Sequence, residues 1–246
     1  MITEETPENS LYAIRTSEFD GADAYLYDLC QLNVKHHNKA ALSRIFLSTD
    51  KPVMVYYYRR NPAVSDEDRA KAYLLSAEAG VSAVDVIADL FDRSPLELSR
   101  NPAAMTKRKE LIKEIHDRGG EAMLSNHAMV VMTTAQVLEH AKVMEDQGPD
   151  MVKIVSKADS EDTLVDSFKT TLELKRHLSV PFIYITMGNY GQIQRIVGPM
   201  LGSACTFCVP YYNKDSTWEQ PLLRATRQVF DNAIWQIPRR AFEAGG

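Results

Sequence analysis

The chain has 246 residues, 45% of them hydrophobic and 25% charged, enough to bury a full core, and one domain spanning 1–246 is the simplest expectation. A formal net charge of −5 offers no basic footprint for nucleic acid and no polybasic anchor for an anionic membrane. No stretch approaches the roughly 18 apolar residues of a spanning helix, the opening Met1-Ile2-Thr3-Glu4-Glu5 is acidic where a signal peptide is basic, and Cys30, Cys205 and Cys208 suit a reducing compartment, so a cytoplasmic protein is expected.

Residues 5–20 read as an amphipathic helix, followed by a strand over 24–29. Residues 39–48 are helix-like, the Thr49-Asp50-Lys51-Pro52 break follows, and 53–58 form the second strand. Ser65-Asp66-Glu67-Asp68 starts a helix that runs to about Ala79, with its acidic residues at the positive end of the macrodipole. The third strand and its loop cover 83–91, a helix covers roughly 103–118, and 121–127 form a fourth strand. Thr134 is placed to cap the next helix, Met151-Val152-Lys153-Ile154-Val155 is the fifth strand, and Ser160-Glu161-Asp162 begins a helix to about His177. Strand six is 181–187, a helix follows Gly191, strand seven is 204–209, and a last helix covers about 219–235. Strands alternating with helices suit parallel βα units, either a TIM barrel or an open doubly wound sheet. Seven strands are one short of a closed eight, and the absence of a Gly-x-Gly-x-x-Gly or Walker motif weakens the nucleotide-binding doubly wound folds.

Polar residues fall where a barrel would carry its chemistry. Asp89, His127, Lys153 and the Thr186-Met187-Gly188 turn all lie at or near the C-terminal ends of strands. In the fifth strand Lys153 shares a face with Met151 and Val155, so its amine projects among apolar side chains. Two readings are open for such a lysine: an edge-strand residue that snorkels to solvent, or a nucleophile toward a ketone. A carboxylate, an imidazole and a strand lysine on successive strands favour imine chemistry with acid–base assistance. Cys205-x-x-Cys208 is not read as a zinc or redox motif, because residues three apart on a strand face opposite sides and no second pair is present.

The chain resembles the type I 3-dehydroquinate dehydratases through four segments. Leu124-Ser125-Asn126-His127 resembles the strand that ends in the family's catalytic histidine, and Met151-Val152-Lys153-Ile154 the strand that presents its Schiff-base lysine. Thr186-Met187-Gly188-Asn189-Tyr190-Gly191, Arg195 and Gly202-Ser203-Ala204-Cys205-Thr206-Phe207 are similar to the Met-Gly-x-x-Gly, Arg and Gly-Ser-x-x-Thr-Phe pattern. Ser216 and Gln220 keep the spacing of the family's lid-loop Ser and Gln. The resemblance implies a (β/α)8 TIM barrel, with a missing or atypical first strand here, and a lyase needing no metal or organic cofactor. It also implies a small carboxylated cyclic ketone as substrate and a homodimer as the assembly. Lys153 would form the imine, His127 would move the protons, Asp89 would orient His127, and Arg195, Arg59, Ser216 and Gln220 would bind substrate.

Two departures from the family's site pattern are visible. Asp89, in Ala88-Asp89-Leu90-Phe91, stands where the family has a longer glutamate. The Glu-x-Arg of the early strand is replaced within Tyr25-Leu26-Tyr27-Asp28, and the arginine ending the next strand can match Arg59 or Arg60. The expected function is therefore dehydration of 3-dehydroquinate or of a related carboxylated cyclic ketone. An imine-forming aldolase and a ligand-binding relative without turnover are the alternatives.

Overall fold

A computed structural model describes residues 1–212 and 219–233. Six parallel strands lie in sequence order in one curled sheet: β1 (Tyr25–Asp28), β2 (Val53–Tyr56), β3 (Ala83–Ile87), β4 (Glu121–His127), β5 (Met151–Lys157) and β6 (Phe182–Met187). One helix precedes them, α1 (Pro7–Phe19), and those that connect and follow them are α2 (Lys39–Phe46), α3 (Asp66–Glu78), α4 (Pro102–Asp117), α5 (Thr134–Glu145), α6 (Glu161–His177), α7 (Gly191–Leu201) and α8 (Leu223–Asn232). The architecture is the TIM-barrel type, in which parallel strands are each followed by a crossover helix. No helix among the described residues is long and apolar enough to cross a membrane.

Local sequence explains the helix starts. Thr6, Asn38, Ser65, Asn101, Thr133 and Ser160 each accept a hydrogen bond from a first-turn backbone N–H, satisfying donors that the helix itself leaves open. The cap of α5 is Thr133, one residue before the expected Thr134, because Gln136 completes a reciprocal capping box with it. Pro7 and Pro102 stand at the first turns of α1 and α4, where the missing N–H costs nothing.

The expected seventh strand is not a strand. Residues 204–209 are tied at their ends, by Ala204 N–H to Phe182 O and by a bridge between Val209 and Leu222, with no continuous ladder between. At the other edge a single parallel bridge, Ile2 with Tyr27, takes the place of a first strand, and the Met1 nitrogen donates to Cys208 O at 2.7 Å. Short contacts of this kind complete the wall between β6 and β1.

Two apolar layers result. The larger lies between the sheet and its helices, with Val55, Val84, Val86, Leu124, Val152 and Ile154 facing helical residues such as Ile115, Val137 and Leu174. The smaller fills the barrel interior with Met123, Val155, Ile183 and Ile185, flanked by Met54, Met151, Met187, Cys205 and Phe207. A cavity of about 480 Å³ opens beneath this inner layer, at the strand-opening residues Tyr25, Val53, Ala83, Glu121, Met151 and Ile183. That is the end opposite the face where barrel chemistry is built.

Arg108 of α4 is fully buried and fixes the long loop after β3. Its guanidinium donates to Leu90 O at 3.0 Å, Ser99 O at 2.8 Å and Gln147 Oε1 at 2.9 Å. Burial pulls its pKa down to about 10, still far above neutrality, so the side chain remains a cation. Arg108→Met keeps most of the volume but strands these acceptors, and is expected to lower stability by about 2–4 kcal/mol. Urea unfolding checks this, with the loss read as a lower midpoint at unchanged slope.

Candidate active site

The parallel register sets the site. It pairs Asp85 with Met123, Ile87 with Ser125, Ser125 with Lys153 and His127 with Val155. Side chains at paired positions share a face, so Asp85, Ser125 and Lys153 project into the barrel together. Lys153 Nζ donates to Asp85 Oδ2 at 2.9 Å, with the two side chains only 6% and 3% exposed. The ammonium also lies 5.3 Å from the centroid of the Phe207 ring, a cation–π distance. Lys153 therefore does not snorkel to solvent. Asp85 itself carried no signal beyond being a charged residue inside an apolar strand.

His127 ends β4 and is only partly covered. Its Nδ1 lies 2.7 Å from Glu97 Oε1, which also accepts the His127 backbone N–H at 3.0 Å. Tyr58 donates its hydroxyl to the other oxygen, Glu97 Oε2, and packs edge-on to the imidazole at 5.0 Å. With Nδ1 directed at a carboxylate, the neutral ring carries its proton there, and Nε2 is left as an acceptor with no protein partner among the described residues. Burial, followed by the charge of Glu97, raises the Tyr58 phenol well above its ordinary range, so it stays protonated and donating.

Glu97 thus occupies the place expected for Asp89. Asp89 is buried, but its Oδ1 pairs with Arg59 and its Oδ2 accepts Ser94 N–H at 2.8 Å. The shorter aspartate is consumed by its own loop. A glutamate eight residues later, at a positive φ of 51°, reaches back to His127 instead. Arg59, expected to bind substrate, is held by two carboxylates: Nη1 on Asp89 and Nη2 on Asp66 at 2.9 Å, with 11% of its side chain exposed. Arg60 reaches Asp28 at 3.2 Å, and Asp28 also accepts the Tyr56 hydroxyl at 2.6 Å and Cys30 N–H at 2.9 Å.

Arg195 lies on α7, 4% exposed, and donates from Nε to Thr186 O at 3.2 Å. Its Nη groups have no hydrogen-bond partner among the described residues, while burial brings its pKa down to about 10 and the nearby Glu219 carboxylate works against that fall. It remains a cation with donors to spare. Gln194 clamps α7 to β6 through Tyr184 O at 2.9 Å and Thr186 N–H at 3.0 Å. The turn between them needs its glycines: Gly188 has φ +96°, and a Cβ on Gly191 would stand 2.5 Å from Thr186 O. Gln220 Nε2 is turned to Met1 Sδ, whereas its neighbour Glu219 accepts Gly188 N–H at 3.1 Å. Ser216 lies outside the described residues.

A family model described as type I 3-dehydroquinase matches residues 20–232. The chain belongs to that family. A 3-dehydroquinate dehydratase of Neisseria gonorrhoeae is 30% identical over 103 residues, 42% of this chain and 41% of that protein. One of Geobacillus sp. is 40% identical over 65 residues, 26% of this chain and 25% of that protein. The matched stretches thus span at most about two fifths of these family members' lengths. Among solved structures, the 3-dehydroquinate dehydratase of Geobacillus kaustophilus superposes with a TM-score of 0.77, covering 94% of this chain and 88% of its own at 17% identity. The type I enzyme of Clostridium difficile, solved with covalently modified comenic acid, gives 0.75 at 17% identity over 94% of this chain and 89% of that one. At such identities the superpositions establish the fold shared with the family.

The strand end beneath His127 has its own pH dependence. Asn126 Nδ2 donates to Leu96 O at 2.9 Å and to His140 Nδ1 at 3.0 Å, tying β4 to the loop that carries Glu97. Burial lowers the His140 pKa, so the folded state refuses a proton that the unfolded chain accepts. Proton binding then favours unfolding, and stability falls as pH drops through the unfolded histidine value of about 6.5. His140→Gln is expected to flatten that acid-side fall, measured as the difference in unfolding free energy between mildly acidic and neutral buffers.

Proposed function

We propose that this chain is an imine-forming dehydratase that acts on 3-dehydroquinate or on a closely related carboxylated cyclic ketone. The supporting observation is that Lys153, 5% exposed on the inner face of β5, lies one strand from a histidine whose Nε2 is open. In this reading the Lys153 amine attacks the ring ketone and water departs to give a protonated imine. The imine withdraws electrons and acidifies the adjacent C–H. His127 Nε2 removes that proton, and the β-hydroxyl leaves as water when the resulting imidazolium returns a proton to it. Hydrolysis of the conjugated imine releases the enone and restores Lys153. Glu97 holds the imidazole in the required tautomer and balances its transient charge, as a triad carboxylate does. The free Nη groups of Arg195 form a planar fork suited to the substrate carboxylate.

The alternative substrate is favoured by one specific observation. Where the family has its Glu-x-Arg on the early strand, this chain has Asp28, whose carboxylate is taken up by the Tyr56 hydroxyl and Arg60, so the matching acid–arginine pair for ring hydroxyls is missing. A panel of ring ketones differing in hydroxylation separates the two substrates by relative kcat/KM.

Turnover is followed by the ultraviolet absorbance of the conjugated enone. Lys153→Ala is expected to abolish it, and parental activity in that variant overturns the reading. His127→Ala should lower kcat by about 10²–10⁴-fold, the usual contribution of acid–base transfer. Glu97→Gln should lower kcat by about 10-fold or more with KM nearly unchanged, because it loosens an orienting contact and touches no substrate.

A further inference from the structure

The lysine assigned above as nucleophile is an ammonium paired with a carboxylate, and an ammonium has no lone pair. Its proton must move before attack, and very little around Nζ can take it. Asp85 Oδ2 lies 2.9 Å away on β3. The thiol of Cys205 also faces the lysine, but burial pushes its pKa up to about 11, so it neither takes nor yields a proton readily. Phe207 offers a ring, β6 offers Ile183, and the acids Asp28 and Glu97 are engaged by Tyr56 and Arg60 and by His127 and Tyr58. His127 is paired with Val155, two residues beyond Lys153; Glu97 holds its Nδ1, and its open Nε2 is the base assigned above to the substrate C–H.

Two buried polar atoms beside this pair are unpartnered: Asp85 Oδ1 and Ser125 Oγ, the latter opposite Lys153 in the ladder. Unsatisfied groups in a dry interior are costly, and both would be satisfied by a hydroxyl held over Nζ that donates to Asp85 Oδ1 and accepts from Ser125 Oγ.

We propose that Asp85 is the acid–base catalyst of imine formation on Lys153, with the Ser125 hydroxyl donating to the oxygen that forms there. The proposal rests on the imine-forming reading and adds the proton carrier for it. Asp85 takes the ammonium proton, the neutral amine adds to the ketone carbon, and one of the two protons on the now positively charged nitrogen passes to the carbonyl oxygen to give the neutral carbinolamine. Asp85 then returns its proton to the carbinolamine hydroxyl. The C–O bond breaks and water leaves, the nitrogen lone pair forms the C=N bond, and the iminium is left facing an Asp85 carboxylate. In sum, ammonium and ketone become iminium and water, with the aspartate unchanged.

The test uses formaldehyde with cyanoborohydride, which reports imine formation at each lysine without a specific substrate. Methylation of Lys153 is measured by peptide mass spectrometry against exposed Lys113 in the same sample. Asp85→Ala is expected to slow Lys153 by about 10-fold or more, and formate, filling the vacated carboxylate position, should restore the rate saturably. Asp85→Asn should be slow and unresponsive to formate, since the amide fills the space. Parental rates in both variants, or a slow Asp85→Ala without formate rescue, overturn the proposal. If Asp85→Ala does not fold, Asp85→Asn decides: an unaltered pH profile of Lys153 methylation overturns the proposal, and an altered one sustains it. Failure of the functional reading looks different, as absent turnover of 3-dehydroquinate by the parent while the formaldehyde series behaves as expected.

Discussion

A lysine and an aspartate withdrawn together from water are the constraint on which the interior is built. Burying either charge alone would be prohibitive, and burying both is tolerable only when they touch and their surroundings stay closed. Lys153 and Asp85 meet because β3, β4 and β5 are in one parallel register, which carries their side chains to the same face. Met123, Val155, Ile183 and Phe207 then exclude water around them. A one-residue slip of β5 would turn Lys153 into the helix-facing core and Ile154 into the barrel. The pair therefore favours one register as well as placing a nitrogen where chemistry can use it.

Around this centre the loops at the strand ends are fixed by polar contacts within the protein. Arg59 joins Asp66 at the start of α3 to Asp89 in the loop after β3, and Arg108 holds Leu90 and Ser99 on that same loop. Asn126 ties the loop to the end of β4 through Leu96 O. Between these anchors Glu97 is presented to His127 in a left-handed backbone conformation that a glutamate adopts only when its surroundings impose it. The orientation of the histidine is thus a property of an entire loop.

Much of the fold was legible because it depends on short-range patterns. Apolar runs of strand length, capping residues and glycine stops gave the alternation of six strands with their helices, and the strand-borne Lys153 and His127 with Arg195 marked the candidate site. What was not legible depends on long-range geometry. Residues 204–209 have the composition of a strand, yet of these six Ala204 alone has a backbone hydrogen bond to β6, and the chain leaves it afterwards. Asp89 has the right place in sequence to meet His127, but whether a carboxylate reaches a histidine or an arginine is decided by how its loop folds. Asp85 was hidden for a related reason. A charge in a buried strand announces itself only as an inconsistency, and its partner lies 68 residues away.

The most direct test of the account is covalent capture on Lys153. The parent protein is incubated with 3-dehydroquinate, reduced with borohydride, digested and mapped by mass spectrometry. The account predicts one stable adduct, on Lys153 alone, absent from Lys153→Ala. A blank map with active turnover, or an adduct confined to exposed lysines, would contradict it.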